Sequence, residues 1–191
     1  MTNISLNIAV LTISDTRTQA NDTSGDLLAR SALDANHILA DRSIIKDDVY
    51  QIRATISAWI ANPDVDVIIC TGGTGFSGRD STPEAVKPLF DKTIDGFGEL
   101  FRQISYDEIG NSTIQSRCIG GLANNTLIFC LPGSNNACKT GWDAILKGQL
   151  DSNHKPCNFV GLIQQKPAWL SQKIVIKFEH LSHQTKYERT C

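Results

Sequence analysis

The chain has 191 residues, 41% of them hydrophobic, which is enough for one well-buried α/β domain and short for two. Acids and bases nearly cancel, to a formal charge of −2, so no global field points to nucleic acid or to an anionic membrane as partner. No apolar stretch reaches the roughly 18 to 20 residues that span a bilayer, and the N-terminus lacks a basic region followed by a long apolar segment, so a soluble, cytoplasmic protein is expected.

Asn7 to Ile13 reads as the first strand, and the polar run from Ser14-Asp15-Thr16 to Gly25 as a long loop. In an open α/β sheet such a loop, at the carboxyl end of a strand, is either a wall of the ligand crevice or a plain connector. Thr23 and Asp26 have capping-box spacing, and Leu27, Leu28, Ala32 and Ala35 then share one helical face. A second strand is expected over His37 to Ile45. Asp47-Asp48 follows it and opens a helix whose Val49, Ile52, Ile56, Trp59 and Ile60 form an apolar stripe, so Asp47 reads first as an N-cap.

Val67 to Cys70 is a short apolar run rich in β-branched residues, suited to a strand covered on both faces. It breaks into Thr71-Gly72-Gly73-Thr74-Gly75, where three glycines permit positive φ and close approach of backbone amides to an anion. The hydroxyls of Thr71 and Thr74 add donors, Arg79 a cation, and Asp80 a carboxylate able to bridge through a divalent metal to phosphate oxygens. Gly73 to Gly78 matches G-x-G-x-x-G, but no helix opens at these glycines and no following strand ends in an acid, which excludes a dinucleotide fingerprint. A Walker A loop is excluded because no Gly-Lys-Ser/Thr follows.

Ser81 and Thr82 offer caps and Pro83 a first helical position for a short helix that Pro88 should limit. A further helix is expected from Gly96 to about Ile109, with Phe97, Leu100, Phe101 and Ile104 at helical spacing as core or subunit contacts. Ser116 to Leu122 and Thr126 to Leu131 read as two strands joined by a two-residue turn at Asn124-Asn125. The second runs into Leu131-Pro132-Gly133-Ser134 and a helix from about Ala137 to Leu150, a loop that serves equally as a turn or as an anion site. Alternating strands and helices imply parallel pairing. The six cysteines, Cys70, Cys118, Cys130, Cys138, Cys157 and Cys191, have no C-x-x-C spacing and read as reduced structural thiols. His180 and His183 form a lone H-x-x-H in a polar tail, where Lys173 to Phe178 offers an edge strand.

The pattern of Thr71-Gly-Gly-Thr-Gly75, four residues and Asp80 resembles the signature of the molybdenum-cofactor biosynthesis family, the molybdopterin-binding MoaB and Mog proteins, and leans to the MoaB branch. The likeness extends from Ile8 to about Phe159 and includes Ser14-Asp15-Thr16, Asp22-Thr23-Ser24-Gly25, Gly96-Phe97-Gly98-Glu99, Ser116-Arg117 and Leu131-Pro132-Gly133-Ser134. It implies an α/β three-layer sandwich with a mostly parallel central sheet over 1–163, a C-terminal extension of unknown role over 164–191, and assembly into homotrimers or homohexamers, with other molybdenum cofactor biosynthesis proteins as further partners. The implied activity is adenylylation of molybdopterin by ATP with magnesium. Thr71, Gly72, Gly73, Thr74 and Gly75 would then cradle the pterin phosphate, Asp47 and Asp80 would act in catalysis and hold the metal, and Ser14, Asp15, Asp22, Ser24 and Gly25 would meet the nucleotide. Ser116 with Pro132, Gly133 and Ser134 would hold the pterin. Lys46 stands where the adenylylating branch tends to carry proline, so a non-catalytic molybdopterin carrier is the alternative.

Overall fold

The structure, a computed structural model, describes residues 3–163. The expectations for the C-terminal extension, including the Lys173 to Phe178 strand, His180, His183 and Cys191, lie outside the described residues.

Six strands form one sheet: β1 (Asn7–Ile13), β2 (Ile38–Ile45), β3 (Val67–Thr71), β4 (Lys92–Thr93), β5 (Ile119–Ala123) and β6 (Thr126–Leu131), in the order β2-β1-β3-β6-β5-β4. β2, β1, β3 and β6 run parallel, while β5 and β4 complete one edge antiparallel. The helices are α1 (Thr23–Asp34), α2 (Val49–Ala61), α3 (Thr82–Val86), α4 (Asp95–Ile109), α5 (Asn135–Gly141), α6 (Lys147–Gln149) and α7 (Val160–Ile163).

The alternation of side chains along the strands sorts the core into two layers. Ile8, Val10, Val67, Ile69, Leu127 and Phe129 face Leu28, Ala32, Phe97, Phe101 and Trp142 on one side. Ala9, Leu11, Ile68, Cys70, Ile128 and Cys130 face Ile52, Ile56, Trp59, Ala85 and Val86 on the other. Helices on both faces of a mostly parallel sheet make the three-layer α/β sandwich that was expected. Val67 to Cys70 are wholly buried because both faces of β3 are covered. Among the described residues the free cysteines Cys70, Cys118, Cys130 and Cys138 are buried in this core, as structural thiols should be, whereas Cys157 is exposed and packs in no core.

Several local expectations change. Asp22, not Thr23, caps α1, its carboxylate accepting from the Gly25 amide. Asp48, not Asp47, caps α2, accepting from the amides of Tyr50 and Gln51 at 3.0 and 2.9 Å. The strand expected from Ser116 begins only at Ile119, since Gly110–Gln115 coils into a 3-10 helix that Ser116 closes. The last long helix starts at Asn135 and passes through a π-helical turn over Trp142–Leu146. Phe97 and Phe101 are core residues, which leaves Leu100 as the exposed member of that stripe. As expected, α3 ends in a 3-10 turn holding Pro88, and Asn124 and Asn125 both take positive φ, the geometry of a tight hairpin turn.

Candidate functional site

The chain leaves β1 for β2 on one side of the sheet and returns to β3 on the other, so the order reverses between β1 and β3 and a crevice opens beyond their carboxyl ends. The loops that follow β1, β3 and β6 meet there. Gly72 N–H donates to the Leu131 carbonyl at 3.0 Å, and the Thr71 hydroxyl donates to the Pro132 carbonyl at 3.1 Å. Thr71 is thereby fully buried beneath the crevice, where it ties two loops together; its hydroxyl is spent on that contact. The Cys138 thiol lies 3.1 Å from the same hydroxyl, and burial, against the opposing Thr71 hydrogen bond, pushes it up to about 11, so it remains a neutral packing group.

Gly72 and Gly73 take φ of 104° and 63°, a region that L side chains rarely adopt. Gly75 does not; its small size instead makes room for Asp80, whose Oδ2 lies 2.8 Å from where a Cβ would stand. At Gly73 the same position lies 2.4 Å from Asp47 Oδ2. The two carboxylates therefore abut the loop at Gly73 and Gly75, although Asp47 follows β2 and Asp80 follows β3. Asp47 Oδ1 accepts from the Ser81 amide at 3.1 Å and the Ser81 hydroxyl at 2.6 Å, while Asp80 Oδ2 accepts from the Ser77 amide at 2.8 Å.

A cleft of about 430 Å³ gathers Gly72 to Gly75, Asp80, Ser116 and Pro132 to Ser134. The Ser116 hydroxyl oxygen is buried with no hydrogen-bond partner among the described residues, a group that a bound ligand would satisfy. A larger cleft of about 790 Å³, between α3 and α4, shares Ser116 but holds neither the glycine loop nor the Pro132 loop. The smaller cleft is the candidate site, because the glycine loop, the Pro132 loop and the Asp80 carboxylate line it together.

The loop after β1 does not line that cleft; it borders it. Asp15 pairs with Arg79 at 2.5 Å, which spends the cation expected for phosphate on joining two loops. Ser14 Oγ accepts from the Thr16 and Arg17 amides, and Thr23 donates to Asn135 Oδ1 at 2.9 Å, linking the loop to the start of α5. Asp22 is fully buried, with the Thr12 hydroxyl and the Arg42 guanidinium each 2.8 Å from Oδ2. Burial raises its pKa, but the hydrogen bonds from Arg42, Thr12 and Gly25 outweigh it and hold the carboxyl below its ordinary 3.8. Asp22, with Ser24 and Gly25 buried beside it, shapes the loop from within.

Arg117 carries more of the site than its sequence position signals. Its guanidinium donates to the carbonyls of Thr74 at 3.3 Å, Gly75 at 2.8 Å and Asp80 at 3.0 Å, pairs with Glu84, and lies 5.1 Å from the Phe76 ring centre. One planar fork thus holds the glycine loop and its exit together. Ser81 is the other residue that sequence reasoning passed over, having been read as a cap; it instead positions Asp47. Arg117 is marked in the sequence only as part of the Ser116-Arg117 likeness, with no role attached.

Residues 9–152 match the protein family described as "Probable molybdopterin binding domain". Molybdenum cofactor biosynthesis protein B of Escherichia coli strain K12 is 53% identical over 152 residues, covering 80% of this chain and 89% of that protein. A crystal structure of a molybdenum cofactor biosynthesis protein B superposes with a TM-score of 0.76 at 42% identity, over 78% of this chain and 94% of that one. The tungsten cofactor synthesizing protein MoaB from Pyrococcus furiosus does so at 0.68 and 36%, over 74% and 91%. The sheet order, the glycine loop and these matches agree: the chain belongs to the molybdenum cofactor biosynthesis protein family and carries its molybdopterin-binding domain.

Proposed function

We propose that this chain binds molybdopterin in the cleft of the glycine loop and adenylylates it with ATP and magnesium. The observation that carries the reading is the pair Asp47 and Asp80, brought from separate loops to the same glycine-loop backbone that can receive a phosphate. In the reaction an oxygen of the pterin's terminal phosphate bonds to the α-phosphorus of ATP. The bond from that phosphorus to the bridging oxygen breaks, and pyrophosphate leaves with the electron pair. The attacking oxygen is already an anion, so the protein's task is positioning and charge placement.

The amides of Gly73 to Gly75 would hold the pterin phosphate, since that of Gly72 is taken by the Leu131 carbonyl, and the unpartnered Ser116 hydroxyl would meet the ligand beside Pro132 to Ser134. Loop 14–25, tied to both neighbouring loops, would border the nucleotide through Ser14 and Asp15. Asp47 and Asp80 are hard oxygen donors that both abut the glycine loop. Two carboxylates completed by phosphate oxygens and water are a donor set suited to magnesium. Magnesium, when bound, supplies charge neutralisation on the departing pyrophosphate.

We also propose a homo-oligomer, a trimer or hexamer, in which Leu100, Tyr106, Ile109 and Ile114, all exposed on or just after α4, are covered by a second copy. Light scattering should give a multiple of the 20.9 kDa chain; the mass of one chain would contradict it. For the location, no helix among the described residues is long and apolar enough to cross a membrane, which is compatible with a cytoplasmic enzyme.

The test of the activity is incubation of molybdopterin, ATP and magnesium with the purified chain. Adenylyl-molybdopterin and pyrophosphate should form in equal amounts. Tight pterin binding without product would replace the enzyme with a carrier.

A further inference from the structure

The cleft contains a second carboxylate for which neither phosphate nor metal accounts. Among the residues that line it, the charged ones are Asp80 and Glu108, with no lysine, arginine or histidine. Glu108 lies in the last turn of α4, where a helix dipole disfavours negative charge. It is nevertheless held there by α5: Thr140 donates to Oε1 at 2.9 Å and Asn136 donates to Oε2 at 2.6 Å. One donor on each oxygen fixes the plane of the carboxylate. An ionised carboxylate oxygen accepts two hydrogen bonds, so each keeps an acceptor direction free.

Two acceptors held side by side suit a ligand edge with two adjacent N–H donors. A 2-amino-4-oxopyrimidine ring has that edge, in N3–H and the 2-amino group. The two ends of the cleft differ in the matching sense: backbone amides at the glycine loop for an anion, and at α4 a carboxylate with an acceptor direction free on each oxygen for a donor edge. We propose that Glu108 is the specificity-determining residue that reads the 2-amino-4-oxo edge of the pterin, an inference that rests on the molybdopterin reading above.

The phosphate esters of 6-hydroxymethylpterin and of 6-hydroxymethyllumazine, which has oxygen in place of the 2-amino group, separate this role from a merely structural one. By calorimetry the wild-type chain should bind the pterin at least about tenfold more tightly, the scale of a hydrogen bond to a charged group. In Glu108→Gln, which keeps the size, the preference should shrink to within about threefold while the melting temperature stays near that of the wild type. Thr140→Val keeps the carboxylate but removes one of its orienting donors, and should lose part of the preference. Retention of the full preference in Glu108→Gln overturns the inference. So does a wild type that binds molybdopterin yet accepts both probes equally, a result that leaves the reading of the cleft standing. A wild type that binds no molybdopterin overturns both.

Discussion

Asp47 caps no helix; its carboxylate accepts both the backbone amide and the hydroxyl of Ser81, at 3.1 and 2.6 Å, across 34 residues of sequence. This contact fixes the loop after β2 against the start of α3 and turns Oδ2 toward Gly73. Ser81→Ala removes the shorter bond and keeps the amide. A hydrogen bond to a charged group contributes about 1.5 to 3 kcal/mol, so turnover should fall about tenfold or more if that energy orients Asp47. The pterin dissociation constant should not move. Steady-state rates beside a binding titration check this; unchanged turnover would mean that Ser81 orients nothing.

Gly72 has no space and no conformational latitude for a side chain. At φ of 104° a Cβ would stand 2.2 Å from the Ile13 carbonyl oxygen, which is backbone and cannot turn aside. Gly72→Ala should therefore destabilise the fold by about 1 to 3 kcal/mol from backbone strain, with overpacking added. Gly78, in the same loop, has nothing within 4 Å of its Cβ position, and Gly78→Ala should be close to neutral. Urea denaturation of the pair measures the contrast, and equal stabilities would contradict it.

Arg117→Lys should not rescue the loop. An ammonium is a point charge and cannot reach the carbonyls of Gly75 and Asp80 together as the fork does. Both Arg117→Lys and Arg117→Met should weaken pterin binding about tenfold, with little change in the unfolding midpoint, because Arg117 holds a surface loop. Wild-type affinity in the lysine variant would show that charge alone suffices.

His37 makes stability depend on pH. It is buried, its Nδ1 accepts from the Leu6 amide at 3.2 Å, and its Nε2 has no partner among the described residues. Burial lowers its pKa below the ordinary 6.5, with the charge of Asp151 opposing. The unfolded chain therefore takes up the proton first as pH falls through about 6.5. Stability is full above that value and declines below it, toward the folded-state pKa. Melting temperatures between about pH 7.5 and about pH 5 should fall less steeply in His37→Gln. Identical slopes would place the acid sensitivity elsewhere.

The layers and the cleft were legible because periodicity and glycine placement report directly on backbone: β3 reads as a continuous apolar run, and Asn124-Asn125 needs positive φ. The two-residue β4 carries no pattern of its own and exists only because β5 presents an edge to Lys92 and Thr93. The choice between Asp47 and Asp48 as cap lay beyond sequence, since either carboxylate suits an N-cap and only the tertiary position of Ser81 decides. Thr71 and Arg79 were expected to face phosphate and instead join loops, because a hydroxyl or guanidinium beside an unpaired carbonyl or carboxylate is taken by it. The role of Arg117 was missed for the converse reason: the partners that make it a clamp are the carbonyls of Thr74, Gly75 and Asp80, which leave no trace in side-chain identity.

The central claim is a division of labour, in which the glycine cleft holds the pterin while Asp47 and Asp80 serve the chemistry. The direct measurement is turnover and molybdopterin affinity together in Asp47→Asn and Asp80→Asn, which keep size and hydrogen-bonding oxygen but lose charge. Loss of a key electrostatic group costs about 10² or more in rate. The account predicts that fall in adenylylation for each variant with pterin affinity within a few-fold of wild type. Wild-type turnover in both variants would contradict it.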